Sequence, residues 1–158
     1  MADEILQWNV RGIRSRLCEL SLLIRDHNPS CLCLQELKLP DSDISFNVNR
    51  LYKTYIKLPP NNQPIPRGGV LIAVKTSISH HPIPLNTNLQ AVAVTFTSGT
   101  LKSLCSVYLP PNDPVTEQQL TNLINQLPKP TLIMGDFNAH NPLCLSLIHI
   151  SEPTRHSA

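Results

Sequence analysis

The 158-residue sequence has no apolar run as long as a membrane-spanning helix. Its longest apolar segments, such as residues 70–74, fall far short of the roughly 20 residues that cross a bilayer. We expect no secretory leader either, because residues 1–4 are acidic where such a leader carries basic residues. We therefore expect a soluble protein that does not enter a membrane.

Paired cysteines are missing as well. The five cysteines are odd in number and contain no Cys-x-x-Cys pair, which argues against a disulfide framework. Cys31 and Cys33 alternate along a predicted strand, so we interpret them as packing residues on one face and not as ligands. This cysteine usage predicts a reducing compartment, nuclear or cytoplasmic.

The net charge is small. Thirteen Lys and Arg against 11 Asp and Glu give +2, which does not by itself demonstrate a nucleic-acid partner. The positions of the arginines are more informative, because Arg11 and Arg14 follow the first predicted strand and Arg67 ends a proline-rich loop. These side chains either contact phosphates or are ordinary solvated arginines.

Residues 131–140 join an apolar run to an acid, an amide and an imidazole. The first four residues have the composition of a buried strand, and Gly135 is predicted to turn the backbone as the strand leaves its sheet. Ligands collect at the carboxyl ends of strands in α/β folds. We therefore expect Asp136, Asn138 and His140 to open into a crevice; the alternative is a Gly-Asp turn followed by an Asx-turn.

Other predicted strands end in the same way. Residues 4–10 deliver Asn9, and residues 31–35 deliver Glu36. A further strand places the Tyr108 hydroxyl at the rim, just before a pair of prolines. Oxygen donors that converge from separate strands suit Mg²⁺, which accepts one or two carboxylates and takes its remaining ligands from water and phosphate.

The remaining pattern predicts an α/β fold. A helical stripe over residues 14–27 lies between the first two strands and makes them a parallel pair. A second helix over 117–127 begins with a capping box formed by Thr116 and Gln119. His80 and His81 are interpreted as loop residues. Further strands are predicted at 52–58, 69–75, 90–96 and 101–108.

Five motifs, in this order, resemble the endonuclease/exonuclease/phosphatase superfamily. Within it the chain looks most like the apurinic-endonuclease-like domain of non-LTR (LINE, jockey-type) retrotransposons. The resemblance covers about residues 3–143 and implies a four-layer α/β sandwich, two packed mixed sheets flanked by helices, of which this chain supplies the N-terminal half. The motifs are residues 7–12 (QWNVRG), 34–36 (LQE), 67–70 (RGGV), 107–111 (VYLPP) and 135–140 (GDFNAH).

The resemblance implies a Mg²⁺-dependent, DNA-nicking endonuclease covalently linked to a reverse transcriptase. Glu36 would hold Mg²⁺, for which Mn²⁺ is a possible substitute, and Asp136 would orient or deprotonate the attacking water. Asn9 and Asn138 would fix the water and the phosphate, and Tyr108 would donate to the phosphate or be ionised against it. The residues expected to contact DNA are Arg11, Arg14, Arg67 and His140.

The resemblance stops near residue 143. We expect residues 1–143 to be a partial domain and residues 144–158 to be an appended adapter or vector sequence; the alternative is a genuine divergent C-terminus. The resemblance places a further aspartate and a Ser-Asp-His motif beyond this chain, so we expect the chain alone to be inactive. Other readings are a phosphatase or phosphodiesterase of the same superfamily, a catalytically dead nucleic-acid-binding fragment, and a pseudogene product.

Overall fold

The computed structural model describes residues 4–60 and 65–138. This part of the chain contains two helices, α1 (Leu17–His27) and α2 (Glu117–Asn125), and short 3₁₀ segments at Ile13–Arg16 and Asp41–Asp43. No helix within it has the length and apolarity needed to cross a membrane. The strands are β1 (Ile5–Asn9), β2 (Cys31–Gln35), β3 (Tyr52–Lys57), β4 (Val70–Lys75), β5 (His80–Ile83), β6 (Gln90–Phe96), β7 (Ser103–Tyr108) and β8 (Thr131–Asp136).

The strands form two four-stranded sheets with the orders β1-β2-β4-β3 and β5-β6-β7-β8. Each sheet contains one parallel pair, β1 with β2 and β7 with β8, and its other pairs are antiparallel. Both sheets are therefore mixed, as the resemblance implied, and the predicted parallel crossover through α1 is confirmed. Each parallel pair brings two carboxyl strand ends side by side.

Alternation along the strands builds the layers. In β2, Cys31 and Cys33 face the second sheet and pack with Leu104 of β7, which confirms their predicted packing role. The intervening Leu32 and Leu34 face α1 and share a cluster with Leu20. On the outer face of the second sheet, Leu120 and Leu123 of α2 pack on Ala93, Cys105 and Val107. The order is helix, sheet, sheet, helix, which is the predicted four-layer sandwich.

Helix boundaries differ from the prediction at their ends. Residues 13–16 form a 3₁₀ turn and α1 begins only at Leu17. The Ile13 amide, which has no partner within its own turn, donates to the Leu37 carbonyl at 3.0 Å and anchors the turn to the chain after β2. A long-range bond of this kind is invisible to periodicity. The capping box of Thr116 and Gln119 is confirmed, although α2 ends at Asn125.

The prediction of a loop at His80 and His81 is wrong. These residues begin β5, which lies at the edge of its sheet and pairs only with β6 among the described strands. Pro82 suggested a loop because proline cannot donate to a ladder. An edge strand tolerates proline, since one side of it has no ladder to satisfy.

Candidate active site

The predicted site residues lie where the strands of both sheets end. Asn9 is the last residue of β1 and pairs with Gln35, directly before Glu36. In the second sheet, Tyr108 ends β7 and is the register partner of Asp136 at the end of β8. Hydrogen bonds between the two sheets then join these ends into one cluster.

The first of these bonds runs from Asn9 to Asp136. The Asn9 side-chain amide donates to Asp136 Oδ2 at 2.7 Å, and the Asn138 backbone amide donates to Asp136 Oδ1 at 3.1 Å. The Asn138 side chain is itself anchored, because its amide donates to the Leu109 carbonyl at 2.7 Å. Asp136 therefore forms the Asx-turn that was the alternative prediction for this segment. It also accepts a hydrogen bond from Asn9 of the other sheet. A carboxylate has about four lone-pair sites, so both oxygens can still accept a proton or a water.

The second bond joins Tyr108 to Glu36. The Tyr108 hydroxyl donates to Glu36 Oε1 at 2.6 Å, and the tyrosine is only 6% exposed. Burial, then this hydrogen bond, then the charges of Glu36, Asp136 and Asp113 raise the pKa of Tyr108 far above its usual value. Tyr108 is thus a neutral donor at neutral pH. Glu36 is the hydrogen-bond partner of Tyr108, and Asp136 is its register partner on β8.

Glu36 reaches Tyr108 through an unusual backbone conformation. If β2 continued regularly, Glu36 would face α1 with Leu32 and Leu34, since side chains alternate along a strand. Its φ of 54° is in the left-handed region, and the turn carries the side chain to the space between the sheets. Such conformations cost about 1–3 kcal/mol and persist where surrounding structure fixes them.

That fixation is visible in the backbone around Glu36. Gly12 donates to the Glu36 carbonyl at 2.8 Å, and Leu37 donates to the Gly69 carbonyl at 3.3 Å. Two site neighbours share the left-handed region, Arg11 with φ 48° and Asn138 with φ 41°. Strain therefore concentrates around the cluster, as it does at functional sites.

Gly135 has a different role from the predicted one. It lies inside β8 opposite Val107, and the turn was expected one residue too early. A Cβ at this position would lie 1.8 Å from the Val107 carbonyl oxygen. The glycine is required by the close approach of two backbones, which holds Asp136 beside Tyr108.

The predicted DNA-contacting residues are placed differently from one another. Arg11 is exposed next to Asn9, whose side-chain oxygen accepts from the Arg11 amide at 3.2 Å. Arg67 lines a cavity of about 360 Å³ together with Tyr108. Arg14 instead forms an ion pair with Asp43, so its guanidinium is already engaged. His140 lies outside the described residues.

Two residues were not singled out from the sequence. Lys38 is exposed, has a φ of 53° and donates its amide to the Gly68 carbonyl at 2.9 Å, which sets it two residues after Glu36 and beside the neighbour of Arg67. Gln35 is completely buried beneath Glu36. Its signal in the sequence was a polar residue at the end of an otherwise apolar strand.

The donor set fits a hard cation held mainly by water and phosphate. No group of three His, Cys, Asp or Glu side chains suited to a metal occurs among the residues that the structure describes. Mg²⁺ does not require one, because it keeps several waters and uses one or two carboxylates. Glu36 commits one oxygen to Tyr108, and no described hydrogen bond occupies the other. Zinc, which prefers nitrogen and sulfur ligands, is not suited to this cluster.

Comparisons with known proteins agree with this geometry. The model of the endonuclease/exonuclease/phosphatase family matches residues 6–146. The chain is 30% identical over 135 residues to the RNA-directed DNA polymerase from mobile element jockey of Drosophila funebris, covering 84% of this chain and 14% of that protein. It is 28% identical over 142 residues to the probable RNA-directed DNA polymerase from transposon X-element of Drosophila melanogaster, covering 88% and 15%. The chain thus spans about one seventh of the length of these relatives.

A solved structure gives the same fold. The endonuclease domain of TRAS1, a telomere-specific non-LTR retrotransposon, superposes with a TM-score of 0.70 at 20% identity. The superposition covers 93% of this chain and 70% of that one. At this identity the likeness concerns the fold, and it supports the two-sheet architecture described above.

Proposed function

This chain belongs to the endonuclease/exonuclease/phosphatase family, and from that premise we propose that it forms part of an endonuclease that hydrolyses DNA phosphodiester bonds with Mg²⁺. The observation that carries the proposal is the pair of inter-sheet hydrogen bonds, Glu36 with Tyr108 and Asn9 with Asp136. They gather a carboxylate for a cation, a second carboxylate for a water and a neutral donor for a phosphate at adjoining strand ends.

Glu36 would hold the cation. Nucleases of this family generally depend on a divalent metal, and the choice of Mg²⁺, with Mn²⁺ as a substitute, follows from the oxygen-only donor set. When bound, the cation neutralises charge on the phosphate oxygens and on the leaving oxygen. Before DNA binds, Tyr108 orients Glu36 for this role through its hydrogen bond.

Asp136 would serve the attacking water. Asn9 and the Asn138 amide each donate to one of its oxygens, which fixes the carboxylate plane and leaves lone pairs on both oxygens. Asp136 can then accept a proton from a water placed in line with the phosphate. Tyr108 would exchange its bond to Glu36 for one to a phosphate oxygen as negative charge builds there.

The basic residues at the rim would hold the DNA backbone. Arg11, whose amide bonds to Asn9, and Arg67, which lines a cavity with Tyr108, are both exposed and would supply phosphate contacts that fix register. Arg14 would contribute only by exchanging Asp43 for a phosphate. A contact from His140 remains a prediction.

The names of the curated relatives support a larger parent protein. Both are RNA-directed DNA polymerases of mobile elements, and this chain matches a small part of each. We propose that the parent protein joins this domain covalently to a reverse transcriptase. The division of the chain at residue 143 stays a prediction; the family match runs three residues past it, to residue 146.

Nicking of supercoiled plasmid tests the proposal. The assay compares the parent protein's endonuclease region with the 158-residue chain. We expect plasmid nicking by the 158-residue chain to be slower by orders of magnitude, because catalytic residues act together as a unit and the resemblance places some of them beyond this chain. Asp136→Asn should abolish nicking. Asp113→Asn, which removes another carboxylate near Tyr108, should retain it.

Two results would overturn the proposal. Release of phosphate from an inositol phospholipid or a nucleotide without plasmid nicking would assign a phosphatase. Plasmid binding with no hydrolysis of any of these substrates would assign a nucleic-acid-binding or inactive domain.

A further inference from the structure

A chain of three hydrogen-bonded side chains crosses between the sheets beneath the site. The Gln7 amide donates to Gln35 Oε1 at 2.7 Å, and the Gln35 amide donates to the Ser106 hydroxyl at 3.1 Å. Gln35 and Ser106 are both completely buried. This polar chain joins β1 and β2 of one sheet to β7 of the other.

The polar chain lies one layer below the active-site cluster. Gln7 is two residues before Asn9 and Ser106 is two residues before Tyr108, so each shares a strand face with a site residue. Gln35 directly precedes Glu36. Between the sheets, the side chains therefore change from apolar at Cys33 and Leu104, to this polar chain, to the reactive cluster.

Burial of a glutamine needs an explanation at this position. An apolar side chain would fill the same space without the cost of dehydrating an amide. Apolar contacts between two sheets are also non-directional and allow one sheet to slide over the other. The directional hydrogen bond from Gln35 to Ser106 fixes the distance and offset between β2 and β7. The bond from Gln7 holds the Gln35 amide in place within its own sheet. The Glu36–Tyr108 bond depends on that offset.

We propose that Gln35, acting through Gln7 and Ser106, is a positioning residue that holds the sheets at the offset where Glu36 meets Tyr108. The expected effect of Gln35 on kcat rests on the proposed function, whereas its expected effect on the position of Tyr108 does not. The two are therefore measured separately.

The kinetic test breaks the polar chain at its middle residue or at its β7 end. Gln35→Met and Ser106→Ala should each lower kcat for plasmid nicking by about 10- to 100-fold, the usual effect of removing a group that orients a ligand. KM should change much less. The matched control is Ser103→Ala, a buried serine of the same strand that bonds to the Pro128 carbonyl and Thr131 at the end away from the site. It should lower the melting temperature and leave kcat unchanged.

The double variant Gln35→Met with Ser106→Ala separates positioning from stability. Removing both buried partners restores much of the stability that one removal costs, because no buried group is left unpaired and the exposed Gln7 can bond to water. We expect the melting temperature to recover and kcat to stay low. Recovery of kcat together with the melting temperature would overturn the proposal.

The geometric test needs no activity. The tyrosines of the parent protein are labelled with carbon-13 at Cζ, and the signals of Tyr55 and Tyr108 are identified by their loss in Tyr55→Phe and Tyr108→Phe. In Gln35→Met the Tyr108 signal should shift while that of Tyr55 stays in place. An unchanged Tyr108 signal in Gln35→Met would overturn the positioning role. If the signal shifts but the wild-type parent protein does not nick DNA, only the proposed function is overturned.

Discussion

Glu36 is the residue at which stability and function are most clearly opposed. Its left-handed backbone (φ 54°) suits glycine or asparagine better than glutamate. The same conformation carries its carboxylate from the α1 side of β2 to Tyr108. The position therefore favours a carboxylate for chemistry and a different residue for folding.

This opposition gives a first prediction. Glu36→Asn and Glu36→Gln both remove the carboxylate and should both abolish nicking. Asparagine tolerates the left-handed region, so the Asn variant should be more stable than the Gln variant by about 1 kcal/mol. Urea unfolding measures the difference, and equal stabilities would show that Glu36 is not strained.

Tyr108 gives a second prediction at the residue scale. Tyr108→Phe removes a neutral donor from the site and should lower kcat for nicking by about 100-fold or more, as the loss of one preorganised donor does. Tyr55→Phe is the matched control, since its hydroxyl bonds to His80 at 3.0 Å away from the cluster. Equal activity of the two variants would remove Tyr108 from the mechanism.

At the scale of elements, the pairing of β7 with β8 sets the second half of the site. Val107 faces Gly135, and Tyr108 faces Asp136. The absence of a side chain at Gly135 lets the two backbones approach. The position of Asp136 is thus determined by the residue before it.

Gly135→Ala tests this dependence. The added Cβ would lie 1.8 Å from a backbone oxygen that cannot rotate away, so we expect a loss of stability of about 3 kcal/mol or more. Gly99→Ala is the control; its Cβ would meet nothing within 4 Å, and only its φ of 93° is unfavourable, at about 1 kcal/mol. Thermal unfolding compares them, and equal losses would contradict the close-approach argument.

Most elements could be predicted from the sequence, because strand composition and the capping box are local signals, and so could the positions of Asn9, Glu36, Tyr108 and Asp136 at strand ends; the catalytic roles of these residues stay predictions. The start of α1 could not, since residues 14–16 belong to the predicted helical stripe and yet form a 3₁₀ turn. Nor could β5, whose proline is allowed only by its place at a sheet edge. The partners within the site also escaped prediction: Asn9 and Asp136 are 127 residues apart, and only the packing of the two sheets shows that they pair.

At the scale of the whole molecule, buried thiols couple stability to pH. Burial raises the pKa of Cys105 from 9.0 to about 12, and burial followed by the neighbouring Cys31 and Cys105 raises that of Cys33. Unfolded thiols lose their protons above about pH 9 while folded ones keep them, so the unfolded state binds fewer protons. Stability should therefore fall as the pH rises from 9 to 12, by about 1.4 kcal/mol per pH unit for each thiol.

Cys105→Ala should make this pH dependence shallower. Val94→Ala truncates a residue of similar burial that has no titratable proton. It should lower the free energy of unfolding without changing the slope of that free energy against pH. Urea unfolding at pH 8, 9, 10 and 11 provides the measurement. A slope that is the same in Cys105→Ala and in Val94→Ala would contradict the assignment to buried thiols.

The two sheets make the site together, since Glu36 and Asn9 come from one and Tyr108 and Asp136 from the other. Plasmid nicking by the parent protein as a function of Mg²⁺ concentration tests the central claim, that a cation held by Glu36 in this shared cluster cleaves DNA. The wild type should nick only with Mg²⁺ or Mn²⁺, and Glu36→Gln should lose nicking at Mg²⁺ concentrations that saturate the wild type. Nicking by Glu36→Gln with the wild-type rate and Mg²⁺ dependence would contradict the claim.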